Sequence, residues 1–155
     1  MQVKGVNRAI IVSSLLGILV SIYALYVEMA AEAKPGYKAM CDLSEYASCS
    51  KVLTSKYAKG LGLAAPDSPF KLPNCVNGII FYCIIIFLTT FDGAVAVKVQ
   101  IGLSATSLAI CVYLAYLLAF VLKDFCVVCV STYVFNILIA YFLMKKHSLL
   151  ASKSK

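Results

Sequence analysis

Four long stretches of this chain contain no charged residue, over about 9–27, 72–91, 99–122 and 126–144. A helix needs roughly 20 mostly apolar residues to cross the hydrocarbon layer, and its backbone groups must be paired within the segment. Four such runs predict an all-α integral membrane protein built as a four-transmembrane-helix bundle. Each run is apolar throughout rather than striped, which argues against helices lying on a membrane surface. The chain has 155 residues, 62% hydrophobic and 14% charged; ordinary soluble domains carry about 25% charged residues. That balance excludes a disordered chain, a coiled coil and a soluble nucleic-acid binder, and leaves room for a single membrane domain over 1–155. Lys4 and Arg8 ahead of the first run also describe a signal peptide, with Ala31-Glu32-Ala33 as a weak cleavage site. The length of the run favours an uncleaved span.

Four spans put both termini on one side. That side carries Lys4, Arg8, Lys98, Lys145, Lys146, Lys153 and Lys155 against one acid, Asp92. The other side also has seven basic residues, Lys34, Lys38, Lys51, Lys56, Lys59, Lys71 and Lys123, diluted by six acids over a longer stretch. Basic residues packed close to span ends decide orientation, so both termini are expected in the cytoplasm. Residues 28–71 then form one large loop on the far side. Pro35, Gly36, Gly60, Gly62, Pro66 and Pro69 make it turn-rich, while Tyr37, Met40, Leu43, Tyr46, Val52, Leu53, Tyr57, Leu61 and Leu63 make it too apolar for a free linker. A compact cap over the bundle is expected. The remaining loops are short, so spans two, three and four should pack as antiparallel neighbours.

Seven cysteines carry the chemistry. Cys126-Val127-Val128-Cys129 is a C-x-x-C at the start of the fourth span, and residues i and i+3 share a helix face. The first turn of a helix offers unpaired N–H groups and the positive end of the dipole, a setting that favours a thiolate. This is the layout of a redox-active dithiol; a structural disulfide or two buried thiols are the alternatives. The one histidine, His147, lies in the tail, and no second C-x-x-C exists, so a zinc site lacks ligands. Cys41 and Cys49 form a C-x7-C in the loop, on the same side of the membrane. They fit either a loop-stabilising disulfide or a shuttle that passes electrons to the C-x-x-C by thiol–disulfide exchange. Cys75, Cys83 and Cys111, near or within the spans, read as inert.

Polar groups at membrane depth are costly and mark function. Asn74 and Asn77 stand at the far-side end of the second span, where an N-cap role is the alternative. Tyr133 is four residues after Cys129 and seven after Cys126, on their face, and fits either a ligand contact or an aromatic belt. Ser131 and Asn136 read as helix–helix hydrogen-bonding residues. A dithiol flanked by Asn and Tyr donors in an apolar pocket suits a flat, oily molecule with carbonyl oxygens, such as a quinone.

At these residues the sequence resembles the vitamin K epoxide reductase family in its animal form. The resemblance runs over nearly the whole chain, through Ser21-Ile22-Tyr23-Ala24-Leu25, Cys41-Asp42-Leu43, Ser48-Cys49-Ser50-Lys51-Val52, Lys59-Gly60-Leu61-Gly62-Leu63, Pro73-Asn74, Gly78-Ile79-Ile80-Phe81-Tyr82, Asp124-Phe125-Cys126-Val127-Val128-Cys129 and Ser131-Thr132-Tyr133. It implies a four-helix bundle under a luminal cap in the endoplasmic reticulum membrane, acting as a monomer on vitamin K epoxide and vitamin K quinone. Cys129 would attack the substrate, and Cys126 would resolve the adduct and exchange with the loop. Cys49 would reach Cys126, with Cys41 as its partner. Asn74 and Tyr133 would bond the two oxygens of the naphthoquinone head, and Leu53, Asn77 and Phe81 would line its pocket. A thioredoxin-like luminal thiol donor would recharge the loop pair, and no cofactor would be held permanently. Asn77, Leu53, Tyr57 and Leu61 depart from the aromatic lining usual in the family. These changes bear on substrate preference and on sensitivity to coumarin-type antagonists rather than on the thiol relay. Two further readings compete: a quinone-dependent disulfide-generating oxidase on the same scaffold, and a four-span scaffold protein with a structural loop disulfide.

Overall fold

The computed structural model describes residues 2–44, 46–62 and 72–153. Leu63, Pro66, Pro69, Lys71 and the end of the basic tail lie outside the described residues, as does Glu45. The described chain is helical: α1 (Val3–Ala33), α2 (Cys49–Leu53), α3 (Asn74–Thr89), α4 (Ala94–Tyr116) and α5 (Val127–Lys153). Three helical stretches, Val3–Ala33, Ala94–Leu122 and Val127–Ser152, are long and apolar enough to cross a membrane. α3 is equally apolar but only 16 residues long. The second apolar run is therefore shorter as a helix than as a stretch of sequence. Pro73 sets its start and Thr89 its last helical turn. The first run, by contrast, lies inside a longer helix, and α5 continues well past the end of the fourth run, because the flanking residues have good helix propensity even where they are polar.

α1 is the centre of the packing. It lies against α3 on one side and α5 on the other, and α4 lies against α5. The expectation that successive spans are nearest neighbours holds for α4 and α5; α3 meets α4 less extensively than it meets α1. The close α1–α3 approach is set by Gly17. A Cβ at that position would collide with the Tyr82 ring, and Tyr82 is fully buried there. Helix association in lipid depends on such close packing, since lipid tails are as apolar as leucine. Outward positions remain apolar: Leu19 is 63% exposed and Val112 71%. A surface of that kind suits hydrocarbon and not water.

Two buried clusters lie at opposite ends of the helices. One joins Val6, Ile10, Tyr82, Ile85, Ile139 and Leu143. The other joins Ala24 and Val27 of α1, Leu118, Val128 and Cys126 to Ala39, Cys49, Val52 and Leu53 of the loop. The loop is thus packed down as a cap, starting after Ala33 rather than at residue 28, because α1 runs on. Met40, Leu43 and Tyr46 do not share in this burial and are exposed. At the cap end α4 widens into a π-helical turn, Leu117–Leu122, closed by Lys123 in the left-handed region at φ 51°. Such turns arise where an extra residue is accommodated, often beside functional sites.

Candidate active site

The cap loop is organised by one carboxylate. Asp42 accepts hydrogen bonds from the Ala39 N–H (2.8 Å), the Ser50 N–H (3.0 Å), the Ser50 hydroxyl (2.6 Å) and the Ser48 hydroxyl (3.1 Å). Burial acts to raise its pKa, but these donors, led by Ser50, outweigh that and hold it below the ordinary carboxylate value. Ser48 also caps α2, its hydroxyl accepting from the Lys51 N–H at 3.3 Å. The result fixes Cys49 as the first residue of α2, fully buried. The Cys49 thiol donates to the Cys41 carbonyl at 3.6 Å, and the Tyr23 hydroxyl of α1 lies 3.8 Å from the Cys41 sulfur. Burial, with the neighbouring Cys49, pushes the Cys41 thiol up to about 12. The contact with Cys126, and then burial, pushes the Cys49 thiol up as well.

Cys126 immediately precedes α5. Its carbonyl accepts the Val130 N–H at 3.0 Å, and its sulfur accepts the Cys129 N–H at 3.3 Å. The sulfur therefore stands where a serine hydroxyl stands in an ordinary N-cap, against an N–H with no partner inside the helix. On its other side the Cys126 thiol meets the Cys49 sulfur at 3.7 Å. The loop pair and the C-x-x-C, far apart in sequence, thus form one run of thiols from Cys41 to Cys129. A hydrogen bond from the Phe125 N–H to the Tyr46 carbonyl, 2.8 Å, ties the loop before α5 to the cap. All seven cysteines are free thiols in this structure.

Beyond Cys129 lies a cavity of about 380 Å³ between the cap and the helices. That is in the size range of small-molecule sites, about 300–1,000 Å³. Asn74, Asn77, Phe81, Leu53, Cys129 and Tyr133 all line it, so the structure brings every pocket residue expected from sequence to one space. Asn74 has a second task. Pro73 takes the N-cap position of α3, and Asn74 does not cap the helix. Its amide donates to the Tyr57 carbonyl at 2.7 Å, and its carbonyl oxygen accepts the Leu61 N–H at 3.0 Å. It thereby clamps the turn Gly60–Gly62, whose residues all have positive φ; Leu61, at 59°, is held in a conformation natural to glycine. A primary amide has two N–H bonds, so one remains for a ligand.

The remaining residues divide. Asn136 of α5 donates to the Cys111 sulfur of α4 at 3.0 Å, an interhelical contact as expected. Ser131 instead donates to the Val127 carbonyl of its own helix at 2.8 Å, as a serine inside a helix readily does, and makes no bridge to another helix among the described residues. Cys83 is exposed on α3. Cys75 lines the cavity and donates to Glu28 at 3.5 Å. Sequence reasoning passed over Glu28 and Tyr23. Both lie on the buried face of α1, and the signal was available in Glu28, an acid one residue past an uncharged run.

The model of the vitamin K epoxide reductase family matches residues 8–144. The chain belongs to the vitamin K epoxide reductase family. It is 38% identical over 127 residues to the mouse vitamin K epoxide reductase complex subunit 1, which covers 79% of each chain. It is 39% identical over 126 residues to the rat protein of the same name, covering 79% of this chain and 78% of the relative. The family match spans α1 through most of α5, and so includes the cap, both cysteine pairs and the cavity.

Proposed function

We propose that this protein is a membrane thiol-dependent reductase of vitamin K epoxide and vitamin K quinone. The observation that carries the reading is the unbroken run of thiols, with Cys126 and Cys49 sulfurs 3.7 Å apart, ending beside an apolar cavity. Membership of a family whose mouse and rat relatives bear the epoxide reductase name supports the choice of substrate. In this reading α1, α3, α4 and α5 form a four-span bundle within a single membrane domain of the endoplasmic reticulum. Both termini are cytoplasmic, and the cap is luminal.

Cys129 attacks the bound substrate and Cys126 then attacks the Cys129 sulfur, releasing reduced product and leaving a Cys126–Cys129 disulfide. Cys49 opens that disulfide through a mixed disulfide with Cys126, and Cys41 closes on Cys49. A thioredoxin-like luminal thiol donor recharges Cys41 and Cys49. The raised pKa of both loop thiols means that each must lose a proton before it attacks, since the thiolate is the nucleophile. Asn74 and Tyr133 donate to the two oxygens of the naphthoquinone head and hold charge there as electrons arrive. Leu53, Asn77 and Phe81 shape the space around the ring. The protein acts as a monomer and needs no permanently bound cofactor.

The test is turnover of vitamin K epoxide by detergent-purified protein with dithiothreitol, followed by chromatography of quinone and hydroquinone. Product is expected with the natural chain and none with Cys129→Ala. Quinone reduction without epoxide reduction would move the protein to the disulfide-generating oxidases. Reaction of neither would remove the reading.

A further inference from the structure

We propose that Glu28 is the acid that gives its proton to the oxygen released when the epoxide opens. This rests on the reductase reading above. Among the described residues lining the cavity, Glu28 is the only Asp, Glu, His, Lys or Arg. It is 2% exposed, on the face of α1 that the cavity and the cap cover. Its two oxygens are unequal. Oε2 accepts the Cys75 thiol at 3.5 Å. Oε1 has no hydrogen-bond partner among the described residues, and the Lys59 ammonium stands 3.8 Å away, beyond hydrogen-bonding distance. A buried oxygen left in that state costs free energy unless it meets a ligand or carries a proton, so it marks a place where a polar atom of the substrate is expected.

The surroundings suit both forms of the carboxyl. Before reaction, the apolar wall accommodates the neutral acid. After it, the carboxylate faces Lys59, which a hydrogen bond of 2.7 Å to Glu32 holds in place at the cap surface. The charge left behind is therefore compensated where it forms.

The step balances as follows. The Cys129 thiolate bonds to one epoxide carbon, and that carbon–oxygen bond breaks with its electron pair on oxygen. The oxygen takes the Glu28 proton and becomes a hydroxyl. The Cys126 thiolate then attacks the Cys129 sulfur, and the S–S bond forms. The carbon–sulfur pair returns to the ring, and the hydroxyl leaves as water with a second proton. Two thiols are oxidised to a disulfide, and the epoxide is reduced to the quinone. The two protons lost by the thiols equal the two gained by the oxygen, so Glu28 recovers its own.

Glu28→Gln keeps the shape and an acceptor for Cys75 but has no proton to release in this way. It should lower single-turnover epoxide reduction with dithiothreitol about 100-fold or more, the usual share of a positioned acid. Glu28→Asp should restore part of the rate, and Lys59→Met should lower it about tenfold. The natural protein gives an independent measurement that does not depend on a variant folding. Dicyclohexylcarbodiimide should modify Glu28, read by peptide mass, with loss of turnover in proportion and protection by vitamin K quinone. A Glu28→Gln protein that turns over within threefold of the natural chain would overturn the proposal. So would full activity after Glu28 is modified. Absence of turnover in the natural chain itself, with Cys129 intact, would instead overturn the reductase reading and this proposal with it.

Discussion

The two ends of the helices are closed by different means. At the cap end the buried cluster contains two thiols, and beside it a cavity opens. The other end is closed by polar bonds. Lys146 of α5 is fully buried and donates to the Thr89 carbonyl (3.4 Å) and the Phe91 carbonyl (3.3 Å) and pairs with Asp92 at 3.1 Å. Gln100 of α4 is buried beside it and donates to the Ile85 carbonyl and to the Thr89 hydroxyl. Asn7 of α1 donates to the same Asp92 oxygen. Helices α1, α4 and α5 are thus gathered around the C-terminal end of α3. Rigidity is therefore placed at one end. Polar bonds lock the helices together at one end, so the other end can hold weakly bonded thiols and a cavity without the helices parting.

The largest effect is expected on removing a thiol from the cap end. Cys49→Ala should cut turnover with a thioredoxin-like donor more than thirtyfold. Turnover with dithiothreitol should stay within about twofold, and the thermal midpoint in detergent should be nearly unchanged. Equal loss with both reductants would mean that the run of thiols is packing rather than a path for electrons. Next in size is the closed end. Asp92→Ala leaves Lys146 buried with only carbonyl partners. Breaking a buried pair costs about 3–5 kcal/mol when both partners are desolvated. Asp92 is 57% exposed, so a loss of about 1–2 kcal/mol is expected. It should appear as a lower thermal midpoint with unchanged specific activity at low temperature. A fall in activity without a fall in midpoint would show that the two ends are coupled.

The smallest effect concerns the order of the cap alone. The folded Asp42 carboxyl lies below its ordinary value, so its contribution is fully present above the unfolded pKa of about 3.9 and is lost as pH falls through the folded value. Backbone hydrogen exchange at Ala39 and Ser50, corrected for the intrinsic rate, should therefore be constant from neutral pH to about 4 and quicken below it. Asp42→Asn should exchange faster at neutral pH and show no acid step. Acid loosening that persists in Asp42→Asn would assign it to another group.

Much of this was legible in the chain itself. Uncharged runs located α1, α4 and α5 because length and apolarity are local properties. The C-x-x-C and the i+4 spacing to Tyr133 placed three cavity-side residues on one helix start. The cap's start was misjudged because α1 continues through Glu28 and Glu32, where polarity suggested a loop. In the sequence Lys146 looks like an orientation charge; its burial depends on where the end of α3 falls across space, which no local pattern encodes. Ser131 looked like an interhelical bridge and bonds its own helix, since that choice depends on which way one hydroxyl turns. The contact between Cys49 and Cys126 joins residues 77 apart, and spacing alone left the loop pair open between staple and shuttle.

α3 has one more consequence. Its 16 residues rise only about 24 Å, while an average hydrocarbon core is about 30 Å thick. As the fourth span of the proposed bundle, so short a helix would draw the lipid inward on its own side. The bilayer of the endoplasmic reticulum, at about 27 Å, needs less of this thinning than the plasma membrane at about 32–33 Å. A thinner bilayer accommodates a span of that length at lower cost than a thicker one does, through helix length alone.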